Sequence, residues 1–297
     1  MKNPLVMDLY SARSWTPDFA SEQINALSNF ENGLVRPDRC DTAEPVRRPF
    51  DPTNIKEPVR WLSTPGIAFV FRKGKPACIA GEVNNRLHRE LWTIDEDKRR
   101  VPLKPKFPPP LFTCRWMVWF DRSWSRKIGY TKLKAFAAEM FRVSRAEFGF
   151  LTTEEDYKAR NFLVTREGQL TRERFVGADP EHGMPGLYWI TLFGSQLTEW
   201  LGREKLSAGP GSVEPLAGDG TLLQFGESPD TCRSPEVLAQ QRIIIERLGE
   251  QRFFDITSPG RTLESPYPGG PLREQLRYLT IPLGGRVTSS ADEKSAG

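Results

Sequence analysis

The side chains able to do chemistry are few in this chain of 297 residues, and they do not converge. His88 lies in the charged run Arg86-Leu87-His88-Arg89-Glu90, and His182 precedes Gly183. Neither has a second His or Cys at ligand spacing, so no metal site is expected. Gly194-Ser195 stands where a strand meets a helix, the place of a hydrolase nucleophile elbow. The glycine such an elbow needs two residues later is Leu197, so Ser195 reads as a helix cap. Gly209-Pro210-Gly211-Ser212 lacks the lysine and the helix of a phosphate-binding loop. Glu154-Glu155-Asp156 opens a helix, where negative charge complements the dipole. Glu199, Arg203, Glu204 and Lys205 surround Gly202, where they can pair with one another or with a partner. Enzymes need titratable groups that converge. No catalytic, cofactor-binding or metal-ligating residue is assigned, no cofactor is expected, and binding is the expected activity rather than catalysis.

Charge is unevenly distributed. From Lys98 to Lys134 eleven Lys and Arg face one acid, Asp121, a local balance of +10 that leaves −6 for the rest of a chain of net +4. Trp116, Trp119 and Trp124 are interleaved with these bases. Bases with stacking aromatics can track single-stranded nucleic acid, which makes a nucleic-acid-binding module on 98–134 the alternative reading. The tryptophans alternate as strand residues do, however, so core aromatics beneath a basic rim is the preferred reading, and nucleic acid is not the expected partner. The four cysteines, Cys40, Cys78, Cys114 and Cys232, are widely spaced and read as free thiols in a reducing compartment. No apolar run approaches 18 residues, and the N-terminus shows no secretion signal; a cytoplasmic protein without a membrane partner is expected.

The elements that must position these residues centre on Gly186–Leu206, GLYWITLFGSQLTEWLGREKL. Leu187–Phe193 reads as a strand, Gly194 as its break, and Gln196–Leu201 as a short helix ending at Gly202. Upstream, Leu5–Tyr10 reads as a strand and Asp18–Leu34 as a helix; Arg36–Pro65 reads as a long loop with one helical turn at Val59–Leu62. Gly66–Arg72 and Ala77–Val83 form a hairpin. Phe112–Phe120 (FTCRWMVWF) carries apolar groups on both faces, which marks an interior strand. Phe112, Cys114, Trp116, Val118 and Phe120 share one face. Thr131 to about Phe148 is helical, with Gly149 as its stop, and Thr153 caps a shorter helix over Glu154–Arg160. Ser212–Leu216 and Thr221–Phe225 flank the turn Ala217-Gly218-Asp219-Gly220. Ser234-Pro235 opens a helix that buries Val237, Leu238, Gln241, Ile244, Ile245 and Leu248.

Three stretches together, GLYWITLFGSQLTEWLGREKL, LLQFGESP and SPEVLAQQRIIIERLGEQRFFD, resemble the C-terminal half of the immunity protein 52 type family, and more loosely the type VI secretion immunity proteins. FGFLTTEEDYKARN and Arg13-Ser14-Trp15 extend the resemblance across roughly Leu9 to Asp255. It rests on aromatic and glycine positions and carries no catalytic residue. It implies a cytosolic single-domain α+β protein, encoded beside a toxin and neutralising it by binding. The expected architecture is one α+β domain over 1–255, a mainly antiparallel sheet with amphipathic helices on one face. Residues 256–297 are expected to form a Pro/Gly/Ser-rich, partly disordered C-terminal extension. Trp124, Tyr130, Glu199, Arg203 and Glu204 are the candidate contacts for the cognate toxin.

Overall fold

A computed structural model describes residues 1, 3–12, 15–64, 66–85, 92–94, 100–102, 112, 114–167, 170–175, 177, 180, 183–258 and 263–267. In chain order the strands are β1 (Leu5–Ser11), β2 (Arg39–Asp41), β3 (Arg48–Pro49), β4 (Ala68–Lys73), β5 (Ile79–Asn85), β6 (Trp92–Ile94) and β7 (Arg100–Pro102). They continue as β8 (Cys114–Phe120), β9 (Phe148–Thr153), β10 (Phe162–Glu167), β11 (Leu170–Phe175), β12 (Ile190–Phe193), β13 (Ser212–Leu216) and β14 (Gly220–Gln224). The helices are α1 (Pro17–Asn29), α2 (Lys56–Ser63), α3 (Arg122–Ile128), α4 (Tyr130–Val143), α5 (Glu154–Asn161), α6 (Ser195–Leu201), α7 (Arg203–Ser207) and α8 (Pro235–Leu248).

Ten strands form one sheet in the order β13-β14-β12-β9-β1-β8-β5-β4-β2-β3, and every pairing in it is antiparallel. The α+β class and the antiparallel sheet are as the sequence reads. The sheet is laid down around β1, which pairs with β8 through Leu5↔Phe120 to Ser11↔Cys114 and with β9 through Leu5↔Thr153 to Tyr10↔Phe148. All seven β1 residues are buried, because strands cover both edges and side chains cover both faces.

Helices lie on both faces, a correction to the expected single layer. Leu5, Met7 and Leu9 of β1 and Cys114, Trp116, Val118 and Phe120 of β8 point into a core roofed by α1, α2 and α4. On the other face Tyr10, Phe148, Phe150, Phe193, Leu223 and Phe225 are roofed by α6, α7 and α8. This second roof spans the β9–β12–β14 end, where the apolar rings face it. Strand alternation puts apolar groups on both sides of that end, Leu151, Ile190, Leu192 and Leu222 on one and Phe148, Phe150, Phe193 and Leu223 on the other, so α4 and α8 lie on opposite faces.

Other expectations are revised by contacts distant in sequence. The helix from Thr131 ends at Val143, since Arg145 takes φ 47°. Phe148 and Gly149 belong to β9, where Gly149 lies opposite Leu9 in a position that leaves little room for a Cβ. Phe112 leaves the face of Cys114 and packs on the second core, edge-on to Tyr10 and Tyr267. Arg36–Pro65 contains β2, β3 and the two-turn α2, which buries Trp61 and Leu62. Only Ile190–Phe193 of the Leu187–Phe193 stretch is laddered. In α8, Leu238 is 40 % exposed. The chain also packs beyond Asp255: the Glu264 amide donates to the Gln251 carbonyl at 2.8 Å, and Tyr267 is buried.

Candidate functional site

The five candidate contacts fall into two groups on opposite faces of the sheet. Trp124 lies within α3 and Tyr130 just beyond it, at the start of α4; α3 is a helix that the sequence reading missed although its signals are present. Asp121 caps it by accepting from the Trp124 amide at 3.1 Å, and Gly129, at φ 92°, ends it. Trp124 is half-buried with its ring parallel to Phe120, centroids 6.2 Å apart. Tyr130 meets Trp189 edge-on at 5.5 Å and donates from its hydroxyl to Asp230 Oδ2 at 3.4 Å. Asp230 also accepts from Arg122 and, at 3.1 Å, from Arg126. Burial alone would raise the Asp230 carboxyl, but these two guanidinium groups hold it below its ordinary value.

The second group sits on α6 and α7. Gly194, not Ser195, is the N-cap residue of α6, with no side-chain cap bond. Its amide donates to the Glu147 carbonyl at 2.7 Å, and a Cβ there would come within 3.0 Å of the Glu147 Cα. The glycine is therefore required by the close approach of two segments of the chain. Glu199, Arg203 and Glu204 are all exposed. Arg203 donates to the Asp219 carbonyl at 2.6 Å, tying α7 to the β13–β14 turn. Glu199 and Glu204 form no ion pair among the described residues.

The basic stretch is largely neutralised from within where it is described. Arg115 pairs with Asp8, Arg122 and Arg126 with Asp230, Lys132 with Glu31 at 2.7 Å, and Lys134 with Glu214 at 2.6 Å. Trp116 is fully buried and donates from Nε1 to Gln23 Oε1 at 2.6 Å. Lys98, Arg99, Lys104 and Lys106 lie outside the described residues, as do His88 and His182.

What sequence reasoning missed most is a buried polar network on the second face. Asp8, fully buried, accepts from Arg115 Nε at 2.7 Å and from the Tyr10 hydroxyl at 3.0 Å. Asp156 accepts from Thr152 Oγ1 and Arg160 Nε, both at 2.8 Å, and Arg160 reaches Gln241 Oε1 of α8 at 2.7 Å. Asn161 donates to the Tyr188 hydroxyl at 2.9 Å, and the Tyr188 ring stacks on Phe150 at 4.1 Å. Burial pushes the Tyr188 phenol well above its ordinary value, so it stays neutral. The signal was a lone Asp in the apolar strand LVMDLYS, and Asp156 and Arg160 spaced four apart on a helix. These carboxylates are held by guanidinium groups and hydroxyls, an arrangement that clamps β1, β8, α5 and α8 together. Among the described residues no three His, Cys, Asp or Glu side chains gather as a metal site. The four cysteines are free thiols, and no described helix is long and apolar enough to cross a membrane.

Comparison with known proteins adds one fact. The fold is shared. Pseudomonas aeruginosa T6SS protein PA0821 superposes with a TM-score of 0.54 at 13% identity, covering 93% of this chain and 81% of that one. At that identity the likeness concerns the fold. No protein-family model and no curated protein matches the chain.

Proposed function

We propose that this protein is a non-catalytic immunity protein, which binds a cognate toxin delivered between bacteria and blocks it in the cytoplasm. The observation that carries the reading is the shared fold with a protein of the type VI secretion system over 93% of the chain. The aromatic and glycine positions that resemble the immunity protein 52 type family point the same way. The clustered carboxylates among the described residues are engaged in internal clamps, which suits a rigid binding scaffold. Glu199, Arg203 and Glu204 are the first candidates for the toxin interface, since they are exposed on α6 and α7. Trp124 and Tyr130 rank second because their rings already pack on Phe120 and Trp189. A standard interface with a few anchoring side chains is enough for tight inhibition.

The test is co-expression. The product of the adjacent gene is expressed in a sensitive bacterium, alone and with this protein. Rescue of growth together with a stoichiometric complex captured from lysate is the expected result. Toxicity that persists without a complex would refute the pairing.

A further inference from the structure

Among the described residues, α6–α8 roof the second sheet face at its β9–β14 end, and the opposite end carries a groove of about 550 Å³. That volume lies in the range of ligand clefts, roughly 300–1,000 Å³. The groove runs along the β2–β3 edge and the β4–β5 turn. Its walls are Val46, Pro49, Pro76 and Ala77, and its charged lining is Arg39, Arg72, Lys75 and Asp38. Asp38 is committed to the fold: its Oδ2 accepts from the Gly74 amide at 2.7 Å, fixing the turn.

Two observations give the groove a chemistry. Arg39 lies directly opposite Arg72 across the β2–β4 ladder. Like charges in that position are destabilising. Glu44 relieves Arg72 at 2.8 Å, whereas among the described residues Arg39 has only a backbone acceptor, the Arg47 carbonyl at 3.2 Å. The surroundings add to this field, with nine Lys and Arg against five Asp and Glu over residues 36–77. Lys75, on the rim, is exposed and has no acidic partner among the described residues. By contrast, Arg115, Arg122, Arg126, Lys132 and Lys134 of the 98–134 stretch each have an acidic partner.

We propose that this groove is a docking site for an extended acidic peptide segment of a partner protein. Carboxylates of the segment sit between Arg39, Arg72 and Lys75, and its backbone lies against the pyrrolidine rings of Pro49 and Pro76. A polypeptide suits the lining better than a nucleic acid, because no aromatic ring lines the groove for bases to stack on. The proposal stands on the groove's own chemistry and does not depend on the immunity reading.

The experiment titrates a fluorescein-labelled oligoglutamate peptide into the full-length protein by fluorescence anisotropy, with a labelled oligothymidylate in parallel. Saturable peptide binding that weakens with salt is expected. It should fall about tenfold in Arg39→Glu/Lys75→Glu, where two attractions become repulsions, and hold in Lys127→Glu, an exposed cation elsewhere. Peptide-induced amide shifts should map to Arg39, Gly74 and Lys75 in the unaltered protein, a readout independent of whether the variant folds. Absence of binding, equal binding by the double variant, or shifts that map elsewhere would overturn the site. Tighter binding of oligothymidylate at the same amides would overturn the ligand class.

Discussion

Asp8 shows how a single charged residue organises the centre of the sheet. It is the one carboxylate in β1, fully buried, and the Arg115 guanidinium and Tyr10 hydroxyl satisfy it. Removing one partner of a buried pair costs about 3–5 kcal/mol, because the other charge is left unpaired. Arg115 keeps 30 % of its side chain in solvent, so we expect Asp8→Ala to cost about 2–3 kcal/mol in urea unfolding. Asp8→Ala/Arg115→Met should recover part of that loss; a single-variant cost near zero would show that the pair is dispensable. Cys40 gives a second residue-level test. Burial, reinforced by the neighbouring Asp41 carboxylate, pushes its thiol from 9.0 up to about 11. The unfolded thiol therefore ionises first. Its contribution is whole below pH 9.0 and is lost as pH rises towards 11, a loss of about 2–3 kcal/mol. Cys40→Ala should flatten the fall in unfolding free energy over that alkaline window, and an unchanged slope would remove Cys40 as its source.

At the scale of elements, close approach between neighbours decides more than propensity does. Gly81 of β5 lies opposite Phe71 of β4, whose ring covers the position a Cβ would take. Gly81→Ala must displace a rigid, fully buried aromatic, so denaturant unfolding should register a loss of about 1–3 kcal/mol. A neutral substitution would mean that the ring can slide. Local chemistry made several elements legible in sequence. Alternation exposed β8, the turn Lys73-Gly74-Lys75-Pro76 exposed the β4–β5 hairpin, and Ser234-Pro235 exposed the start of α8. Elements set by distant contacts were not legible. Phe148 reads as the end of the preceding helix and Gly149 as its stop, yet both belong to β9, because Arg145 turns the chain and Gly149 fits against Leu9. The face of the sheet on which α8 lies depends on which rings of β9 and β12 need a roof, and no window of α8 records that. The candidate site follows the same division. Exposure of Glu199, Arg203 and Glu204 at a helix end could be read locally, whereas the Arg39–Arg72 juxtaposition needs the β2–β4 register.

For the whole molecule, a sheet of ten strands raises the question of why its two edges do not recruit further strands. An exposed edge is a template for pairing with another chain. Here each edge strand is short and contains a proline: β3 is Arg48–Pro49 and β13 is Ser212–Leu216 with Pro215 inside it. Pro215 is paired opposite Thr221 of β14. Having no N–H to give, it must turn its nitrogen towards the free edge. Residues of one strand alternate in direction, so Val213 and Pro215 share that outward side, and Val213 supplies its one amide donor. Binding through added strands is thereby disfavoured, which leaves side-chain surfaces such as α6–α7 and the β2–β4 groove to meet partners. Pro215→Thr returns a donor and a β-branched residue to the edge without touching either core. We expect the variant to self-associate with rising concentration in sedimentation velocity, under conditions where the unaltered chain does not change. Identical sedimentation of the two would mean that edge protection comes from strand length and from the charge of Glu214, with the proline incidental.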